Sequence, residues 1–324
     1  MATAQMDLRS DLIDWRRRLE DAIDQSEDRT HLAPLLSEVD SALHRMEAGS
    51  YGICEACNDV IEDEAVNDPV ARFCLECLSK AEQRALQHDL DSVSRVQYTL
   101  LPKQHLEVEG WRAYYHYEAV GPVSGDYCDL VSTENGDLFF LLGDVSGKGI
   151  AASMLMAHLH AIFRSLITLD LPVNQLVERA NHVFAESTMP AYYATLVCGR
   201  AAHQSGAVEI CNAGHPPALL TRRGQVASVE ATGLPVGIFC HERYTSIELK
   251  LEPGDSVLLY TDGLTEARDK SASEYGIERL SRLVGKSAAL APQALTAACL
   301  EDASSFRAGQ PNFDDLTVMV IQRC

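Results

Sequence analysis

Basic side chains are scarce in this sequence. Its 324 residues hold 27 lysines and arginines against 47 aspartates and glutamates, a formal net charge of −20. A nucleic-acid-binding surface needs basic patches, so this balance argues against a nucleic-acid partner and suits a protein that collects cations. The length suggests two domains, and 46% hydrophobic residues are enough for a sizeable core.

Signals for export and membrane insertion are also missing. The first residues, MATAQMDLRSDLIDW, have neither the basic start nor the apolar core of a signal peptide. We find no apolar run that approaches the roughly 18 residues of a membrane span. We therefore expect a cytoplasmic protein with no membrane partner, in which ten cysteines are not a disulfide framework.

Two common catalytic motifs are absent. The loop GDVSGKG resembles a phosphate-binding loop, but the spacing from Gly143 to Gly147 is one residue too short for the Walker pattern, and Gly149 follows Lys148. No G-x-S-x-G nucleophile elbow occurs. The glycines better suit a close approach of backbone to an ion, and Lys148 is either solvated or in contact with an anionic substrate.

Four cysteines have the spacing of a zinc site. They form two C-x-x-C pairs, Cys54 with Cys57 and Cys74 with Cys77. A redox dithiol needs only one pair, and disulfides do not suit a reducing compartment, so we predict one structural Zn²⁺. Apart from Cys324, the other cysteines are expected to be small buried apolar residues: Cys128, Cys198, Cys211, Cys240 and Cys299.

Four aspartates lie where strands meet loops. Asp126 opens a strand in SGDYCDLVS, Asp144 closes one in LFFLLGDVSGKG, Asp262 closes SVLLYTDG, and Asp314 opens FDDLTVMVIQ. An antiparallel sheet brings the start of one strand beside the end of its neighbour, so these carboxylates can gather at one rim. Two hard divalent cations would relieve their repulsion. The alternative is ordinary turn chemistry at each position.

The first two aspartates can be aligned by counting from a turn. Asn135-Gly136 predicts a two-residue hairpin with both residues at positive φ. Counting outward places Asp126 opposite Val145 and Tyr127 opposite Asp144. Because paired strands lie about 5 Å apart, the Asp126 and Asp144 carboxylates could share a metal site.

From about residue 106 the pattern is one of short strands interrupted by three helices, which predicts an α+β layered sandwich. The run IAASMLMAHLHAIFRSLI predicts a buried helix on which His158 and His160 pack, and His215, before two prolines, is read as structural. The predicted strands are 111–120, 126–133, 137–143, 192–202, 207–212, 217–221, 245–251, 256–261 and 315–322, and the helices 150–168, 172–187 and 291–304.

Residues 79–101 predict a helical linker, because they are polar and contain neither glycine nor proline. Leu86, Leu90, Val93, Gln97 and Leu100 repeat at spacings of four and three, a seam of about two heptads. Two interpretations stay open: a short coiled coil that forms a homodimer, in which Gln97 fixes the register, or a single helix packed on the next domain.

The N-terminal segments ALHRMEAGSYGICEAC and ARFCLEC resemble the DksA/TraR-type zinc finger over residues 31–80. The resemblance implies a helical hairpin at 1–50, turning near Ser26–His31, and a zinc finger at 51–80; the predicted linker then occupies 81–105. It also implies RNA polymerase as a partner, reached by acidic residues such as Asp21 and Asp24. The sequence departs from the family at Asn58, usually glycine, and at Glu64-Ala65, usually Arg-Leu.

The stretch from Leu100 to Cys324 resembles the SpoIIE/RsbU branch of the PPM metal-dependent serine/threonine phosphatases. The matching segments follow the family's order: LLP, SGDYCD, GDVSGKGIAASMLMA, NAGHPPALL, GLPVG, YTDGLTEAR and DDLTVMVI. The resemblance implies an α-β-β-α sandwich over 106–324, two packed antiparallel sheets flanked by helices, with two Mn²⁺ or Mg²⁺ at one end. Ser124, usually glycine, and Cys128, usually aromatic, are departures that remove no carboxylate.

By motif, the resemblance assigns a role to each acidic residue. Asp144 bridges both metals with the Val145 carbonyl beside it, Asp262 and Asp314 bind the first metal, and Asp126 holds waters of the second. Asp315 is the less favoured ligand of its pair.

The implied activity is hydrolysis of phosphoserine or phosphothreonine by metal-activated water. The resemblance implies that the substrate is a STAS-type anti-anti-sigma factor. We also expect the N-terminal module to regulate turnover. The alternative is a polymerase-binding regulator whose C-terminal domain only scaffolds.

Overall fold

The computed structural model describes residues 2–25, 32–61, 70–74, 77, 80–189 and 191–324. The chain divides into two compact units, Met1–Asp89 and Leu90–Cys324, a division that falls inside the linker helix α3 (Lys80–Leu100). The predicted turn at Ser26–His31 and the departure at Glu64-Ala65 lie outside the described residues. The four predicted domain boundaries stay predictions.

The first unit begins with two helices, α1 (Ala2–Gln25) and α2 (Leu32–Glu47), that share an apolar core. Leu12 and Leu19 of α1 pack with Val39 and Ala42 of α2, and all four are buried. The spacings of seven and three place each pair on one helix face. Arg45, at the end of α2, donates to the carbonyls of Val70 and Ala71 and so ties the second helix to the cysteine-rich segment.

The second unit contains two antiparallel sheets. The six-stranded sheet has the order β1-β2-β11-β10-β7-β8, and the five-stranded sheet has the order β3-β4-β5-β6-β9. The strands are β1 (His105–Val108), β2 (Trp111–Glu118), β3 (Asp126–Ser132), β4 (Leu138–Val145), β5 (Ala194–Ala201), β6 (Ala207–Ala213), β7 (Ala218–Arg222), β8 (Gln225–Val229), β9 (Ile247–Lys250), β10 (Ser256–Tyr260) and β11 (Leu316–Arg323).

Helices cover the outer face of each sheet, which gives the predicted α-β-β-α sandwich. Helices α4 and α5 pack on the five-stranded sheet, and α7 and α8 pack on the six-stranded sheet. The helices are α4 (Gly149–Leu166), continued by a 3₁₀ turn at Ile167–Leu169, then α5 (Val173–Ser187), α6 (Asp262–Thr265), α7 (Ile277–Lys286) and α8 (Pro292–Arg307).

Strand β4 shows why the sheet is buried on both faces. Successive side chains of a strand point to opposite faces. Phe139 and Leu141 pack under α4 and α5, whereas Leu138, Phe140 and Leu142 pack between the two sheets. An unbroken apolar run is therefore what this central strand requires.

All nine predicted strands and all three predicted helices occur within a few residues of their predicted ends. Strands β1 and β8 and helices α6 and α7 are additional. Strand β8 follows a two-residue turn in which Arg223 and Gly224 both have positive φ. That turn lacks an Asn-Gly or Asp-Gly pair, which is why the sequence did not indicate it.

The hairpin between β3 and β4 differs from its prediction. Asp126 pairs directly with Asp144, not with Val145, and of the Asn135-Gly136 pair only Gly136 has positive φ. The loop has three residues, because the N–H of Gly136 donates to Thr133 O and that of Thr133 donates to Asp137 O. A turn followed by a left-handed glycine is the usual three-residue hairpin, and it shifts the register by one.

Helix α4 corrects a second expectation. Among the described residues, one helical segment, Gly149–Leu169, is long and apolar enough to span a membrane, with a mean hydropathy of 1.5 over an 18-residue window. The expectation that no run approaches this length is therefore wrong. The buried side chains of the helix, including Met156, Leu159 and Phe163, belong to the core cluster beneath the five-stranded sheet, as predicted for a buried helix.

The end of α3 packs on its own chain. Gln97, only 4% exposed, donates to Ser124 O at 2.7 Å and accepts from Ser124 N at 3.0 Å. The rings of Tyr98 and Tyr117 meet edge to face, and Leu100 packs against the core cluster under α4. These contacts favour the interpretation of a helix packed on the next domain, and they remove Gln97 from the predicted dimer seam.

Replacing Gln97 by leucine should destabilise the second unit by about 2–4 kcal/mol, because the buried N–H and C=O of Ser124 lose their partner. Urea unfolding followed by tryptophan fluorescence measures the change. Val96→Ala, at a side chain 62% exposed on the same helix, is the matched control and should cost under about 0.5 kcal/mol. Equal midpoints for the two variants would contradict this role for Gln97.

Candidate active site

The predicted aspartates converge where the two sheets meet at one end. Asp126 begins β3 and Asp144 lies directly opposite it near the end of β4. In the other sheet, Asp262 comes just after β10 and Asp314 just before β11, two strands that pair antiparallel. The end of one strand therefore lies beside the start of the next on both sides of the site.

Asp126 is buried and held by hydroxyl groups of the opposite sheet. It is 1% exposed, and its Oδ2 accepts hydrogen bonds from Thr261 Oγ1 at 3.0 Å and from Thr317 Oγ1. Burial raises the pKa of Asp126 well above its usual value, and the negative charges of Asp144 and Asp315 add to that rise. The two threonine hydroxyls oppose it by stabilising the ionised form.

Asp144 is the electrostatic centre of the group. Burial raises its pKa to about 7, and the charges of Asp262, Asp314 and Asp315 contribute, while Lys148 opposes them. The pKa of Asp262 is likewise raised, first by burial and then by Asp314 and Glu266. Each carboxylate thus resists ionisation of the next, which is the situation that a bound cation reverses.

A cavity of about 380 Å³ opens beside these carboxylates. Asp144 and Asp262 line it together with Glu266, an acidic residue that sequence reasoning missed although it lies in the YTDGLTEAR segment. The remaining lining residues are Ser146, Tyr193, Thr195, Gly214, His215 and Pro216.

His215 forms part of the wall of this cavity, and its structural role stays a prediction. It is 3% exposed. Its backbone N–H donates a hydrogen bond to Asn212 Oδ1 at 2.8 Å, and its ring Nδ1 lies 2.9 Å from Thr195 Oγ1. Burial lowers the pKa of His215 to about 3, so the imidazole is neutral at physiological pH.

The adjacent carboxylates of Asp314 and Asp315 make different contacts. Both carboxylate oxygens of Asp315 accept backbone N–H groups, from Val120 at 2.8 Å and from Gly125 at 3.0 Å. Asp314 has a half-exposed side chain, its Oδ1 accepts the N–H of Asp315 at 3.0 Å, and its Oδ2 lies 3.3 Å from the Lys148 ammonium. Asp315 therefore fixes the loop that leads into Asp126, and Asp314 is the carboxylate of the pair that a cation could reach by replacing Lys148.

Two glycines allow the backbone to approach the acidic group closely. A Cβ at Gly125 would lie 3.0 Å from the Val145 carbonyl oxygen and 3.2 Å from Asp144 Oδ1. A Cβ at Gly263 would lie only 2.0 Å from the Asp315 carbonyl oxygen. Gly263 therefore leaves no room for a side chain, whereas a side chain at Gly125 would require the Val145 carbonyl to move by a few tenths of an ångström.

The donors available here are carboxylate oxygens and the Val145 carbonyl. Such an all-oxygen set with excess negative charge suits Mg²⁺ or Mn²⁺ and not a soft metal. The residues present therefore fit two hard divalent cations.

The four predicted zinc ligands also gather. The sulfur atoms of Cys54, Cys57, Cys74 and Cys77 all lie within 4.8 Å of one another. A hydrogen bond from the Cys74 N–H to Cys54 Sγ is the main cause that lowers the pKa of Cys54 to about 6. The neighbouring thiols raise the pKa of Cys77, because close thiols oppose one another's ionisation. A bound cation would stabilise all four thiolates, the form that binds zinc.

The surroundings of the cysteines explain a departure noted in the sequence. Asn58 has φ of 61°, in the left-handed region that glycine and asparagine tolerate best. Asparagine therefore replaces glycine here without loss of the turn.

Arg72 donates to both carboxylate oxygens of Glu55, at 2.8 and 2.6 Å, and so links the two C-x-x-C segments.

Comparison with solved structures defines the class of fold. The SiaA-PP2C domain of Pseudomonas aeruginosa superposes with a TM-score of 0.67 at 18% identity, covering 75% of this chain and 98% of that domain. The RsbU and RsbW domains of Rv1364c from Mycobacterium tuberculosis superpose with a TM-score of 0.58 at 25% identity, covering 69% and 61%. The fold is that of the PP2C-type phosphatases.

The sequence comparison identifies the family. The model of the family Stage II sporulation protein E (SpoIIE) matches residues 134–324, more than half of the chain, and the protein belongs to this family. "Protein IcfG" of Synechocystis sp. is 24% identical over 263 residues, and "Phosphoserine phosphatase RsbU" of Bacillus subtilis is 25% identical over 191. Those alignments cover 72% and 58% of this chain but 41% and 57% of the relatives, so the chain spans about half their length.

In the metal-free protein, Asp144→Asn should increase stability at pH 8. The folded-state pKa of Asp144 is about 7 against 3.8 for the ordinary group, so the folded state binds the proton more tightly. Wild-type stability therefore falls as the pH rises from about 4 to about 7, by an amount on the order of 2–4 kcal/mol. Asparagine does not ionise, so the Asp144→Asn variant does not lose this stability as the pH rises.

Urea unfolding in EDTA at pH 4, 6 and 8 tests this. The gain of the Asp144→Asn variant should be largest at pH 8 and absent at pH 4. Glu301→Gln, at an exposed carboxylate on α8, is the control and should show no such trend. A pH-independent difference between Asp144→Asn and wild type would refute the proposed repulsion.

Proposed function

We propose that this protein is a metal-dependent phosphatase that hydrolyses phosphoserine or phosphothreonine on a regulatory protein. The observation that carries the proposal is the acidic cluster beside a cavity, in which burial and then the neighbouring carboxylates of both sheets raise the pKa values of Asp144 and Asp262. Relatives named as phosphoserine phosphatases and membership of the SpoIIE family support it. We expect it to act in the cytoplasm.

Asp144, Asp262 and Asp314, with the Val145 carbonyl, would hold two Mn²⁺ or Mg²⁺, and Asp126 would hold waters of the second ion. When bound, these ions supply a water that is acidic enough to act as hydroxide near neutral pH, and they neutralise charge on the phosphoryl oxygens. Thr261 and Thr317 fix the Asp126 carboxylate so that one oxygen stays free to accept a hydrogen bond from such a water. No side chain needs to form a covalent intermediate.

Lys148 contributes positive charge at the edge of the site. Its ammonium lies 3.3 Å from Asp314 Oδ2 and donates to Phe313 O at 3.2 Å. Once cations neutralise Asp314, the 61%-exposed Lys148 is free to turn toward an anionic substrate. This supports the second of the two roles considered for Lys148.

Two relatives, RsbU and RsbP, are each named as a phosphoserine phosphatase, which supports phosphoserine as the group hydrolysed. We infer that the phosphorylated protein is a STAS-type anti-anti-sigma factor, as the resemblance to the SpoIIE/RsbU branch implies. The alternative role as a polymerase-binding regulator stays a prediction. It has the support of Asp21, which is exposed on α1, whereas the side chain of Asp24 lies outside the described residues.

Asp144→Ala and Asp262→Ala should each lower Mn²⁺-dependent phosphate release from a phosphoserine protein by at least about 100-fold, because each removes a ligand of the ions that activate water. Phosphate release by the full chain with added Mn²⁺ is the measurement. Glu301→Gln is again the control and should retain the wild-type rate. Wild-type rates in both alanine variants would reject the assignment of the site.

We infer further that the N-terminal unit regulates turnover through α3, with Zn²⁺ supporting its cysteine segment. The Gln97 amide is bonded to Ser124, and Ser124 Oγ accepts the N–H of Asp126. A displacement of α3 would therefore reach Asp126 through two hydrogen-bonded contacts. A homodimer through the exposed part of α3 would be one source of such a displacement.

The double variant Cys57→Ser/Cys77→Ser should lose bound zinc and change either turnover or oligomeric state, because two thiolates of a tetrahedral site are removed. Zinc content, phosphate release and light scattering are measured on the same preparation, with Cys324→Ser as the control. Zinc loss with unchanged turnover and unchanged mass would reject the regulatory role and leave the zinc structural.

A further inference from the structure

Three metal-binding side chains lie together outside the acidic site. They are His182 on α5 and the neighbours Cys240 and His241, in the loop between β8 and β9. One donor atom from each lies within 4.8 Å of the other two. His182 Nδ1 is 3.1 Å from Cys240 Sγ, and the two imidazole rings stack with centroids 5.6 Å apart.

The loop that carries Cys240 is fixed to α5 by a buried side chain. Asn181, fully buried, donates from Nδ2 to the carbonyls of Phe239 at 2.8 Å and Cys240 at 3.3 Å, and accepts from Gly237 N at 2.8 Å. Because His182 is the next residue of the helix, the same turn of α5 that holds the loop also presents the imidazole. The backbone positions of the donors are therefore set before any ligand binds.

A carboxylate orients the first imidazole. Glu186, one turn further along α5, has Oε1 3.5 Å from His182 Nε2. A carboxylate beside one ring nitrogen is the usual device that fixes a histidine for metal binding through the other nitrogen. That other nitrogen, Nδ1, is the one that faces the Cys240 sulfur. The His182 side chain is 46% exposed, so an ion can enter from solvent.

We propose that His182, Cys240 and His241 form a binding site for Zn²⁺ or a similar soft-to-borderline cation. Two imidazole nitrogens and one thiolate are a donor set typical of zinc, and a water would complete a tetrahedron. Zinc bonds of about 2.0–2.3 Å place tetrahedral donors roughly 3.3–3.8 Å apart, so small rotations of these partly exposed side chains are sufficient. Mn²⁺ and Mg²⁺ prefer oxygen donors, which keeps this site distinct from the acidic cluster.

The position of the site gives the bound ion a structural consequence. Further back in the same loop, Val236 exchanges two backbone hydrogen bonds of 2.8 Å with Ala194, the first residue of β5. The next residue, Thr195, lines the cavity beside Asp144. An ion bound at this site would link α5 to the loop that pairs with the start of β5, the strand that borders that cavity. The inference stands whether or not the chain is a phosphatase.

Zinc stoichiometry of the full chain tests the proposal. Wild type, Cys240→Ser and His182→Gln are equilibrated with buffered Zn²⁺ in excess Mn²⁺, dialysed, and analysed for zinc per chain. Each variant should bind one zinc fewer than wild type, whatever the four-cysteine cluster contributes, since that cluster is intact in all three. Cys324→Ser removes an exposed thiol elsewhere and should bind as much zinc as wild type.

Cobalt provides a second readout on the same proteins. Co²⁺ bound to the Cys240 thiolate gives a near-ultraviolet charge-transfer band, and the band should weaken in Cys240→Ser relative to Cys324→Ser. Circular dichroism checks that the variants are folded. If Cys240→Ser unfolds, the zinc content of His182→Gln, at an exposed surface position, tests the proposal alone. Equal zinc content in wild type and His182→Gln would overturn the proposal and leave a histidine–thiol hydrogen bond.

Discussion

Repulsion between carboxylates is the constraint around which the second unit is organised. Asp144 has a pKa of about 7 because it is buried and faces Asp262, Asp314 and Asp315. A fold gains nothing by concentrating such charges unless cations join them. The surrounding residues hold the charges in place: two threonine hydroxyls on Asp126, and glycines where a side chain would collide.

The sandwich supplies the rigidity that this arrangement needs. Each sheet contributes two of the four aspartates, and the apolar side chains packed between the sheets fix their separation. Asp315, with both oxygens bound to backbone N–H groups, joins the loop before β3 to the start of β11. The acidic cluster is therefore part of the junction between the two sheets.

Local pattern was sufficient to predict most strands, the buried α4 and the convergence of four aspartates, because strand ends and apolar periodicity are local properties. The β3–β4 register was predicted wrongly, since Asn-Gly suits both a two-residue turn and, with glycine alone left-handed, a three-residue one. Contacts between distant residues could not be predicted. Thr261 and Thr317 lie 135 and 191 residues from Asp126, and no spacing rule connects them.

The same limit applies to the linker and to the cluster on α5. The heptad spacing of α3 suggested a seam, but only the fold shows that Gln97 binds Ser124. Cys240 was predicted to be a buried apolar residue, yet it is partly exposed and faces His182. Composition indicates how many donors a chain carries, whereas the loop that brings Cys240 to α5 is fixed by the buried Asn181.

Anomalous diffraction from crystals soaked in Mn²⁺ tests the central claim most directly. The account predicts two manganese peaks between the sheets, with Asp144 in contact with both and Asp262 and Asp314 in contact with one. Absence of manganese from this cleft at saturating concentration, or a single peak that touches none of these carboxylates, would contradict it.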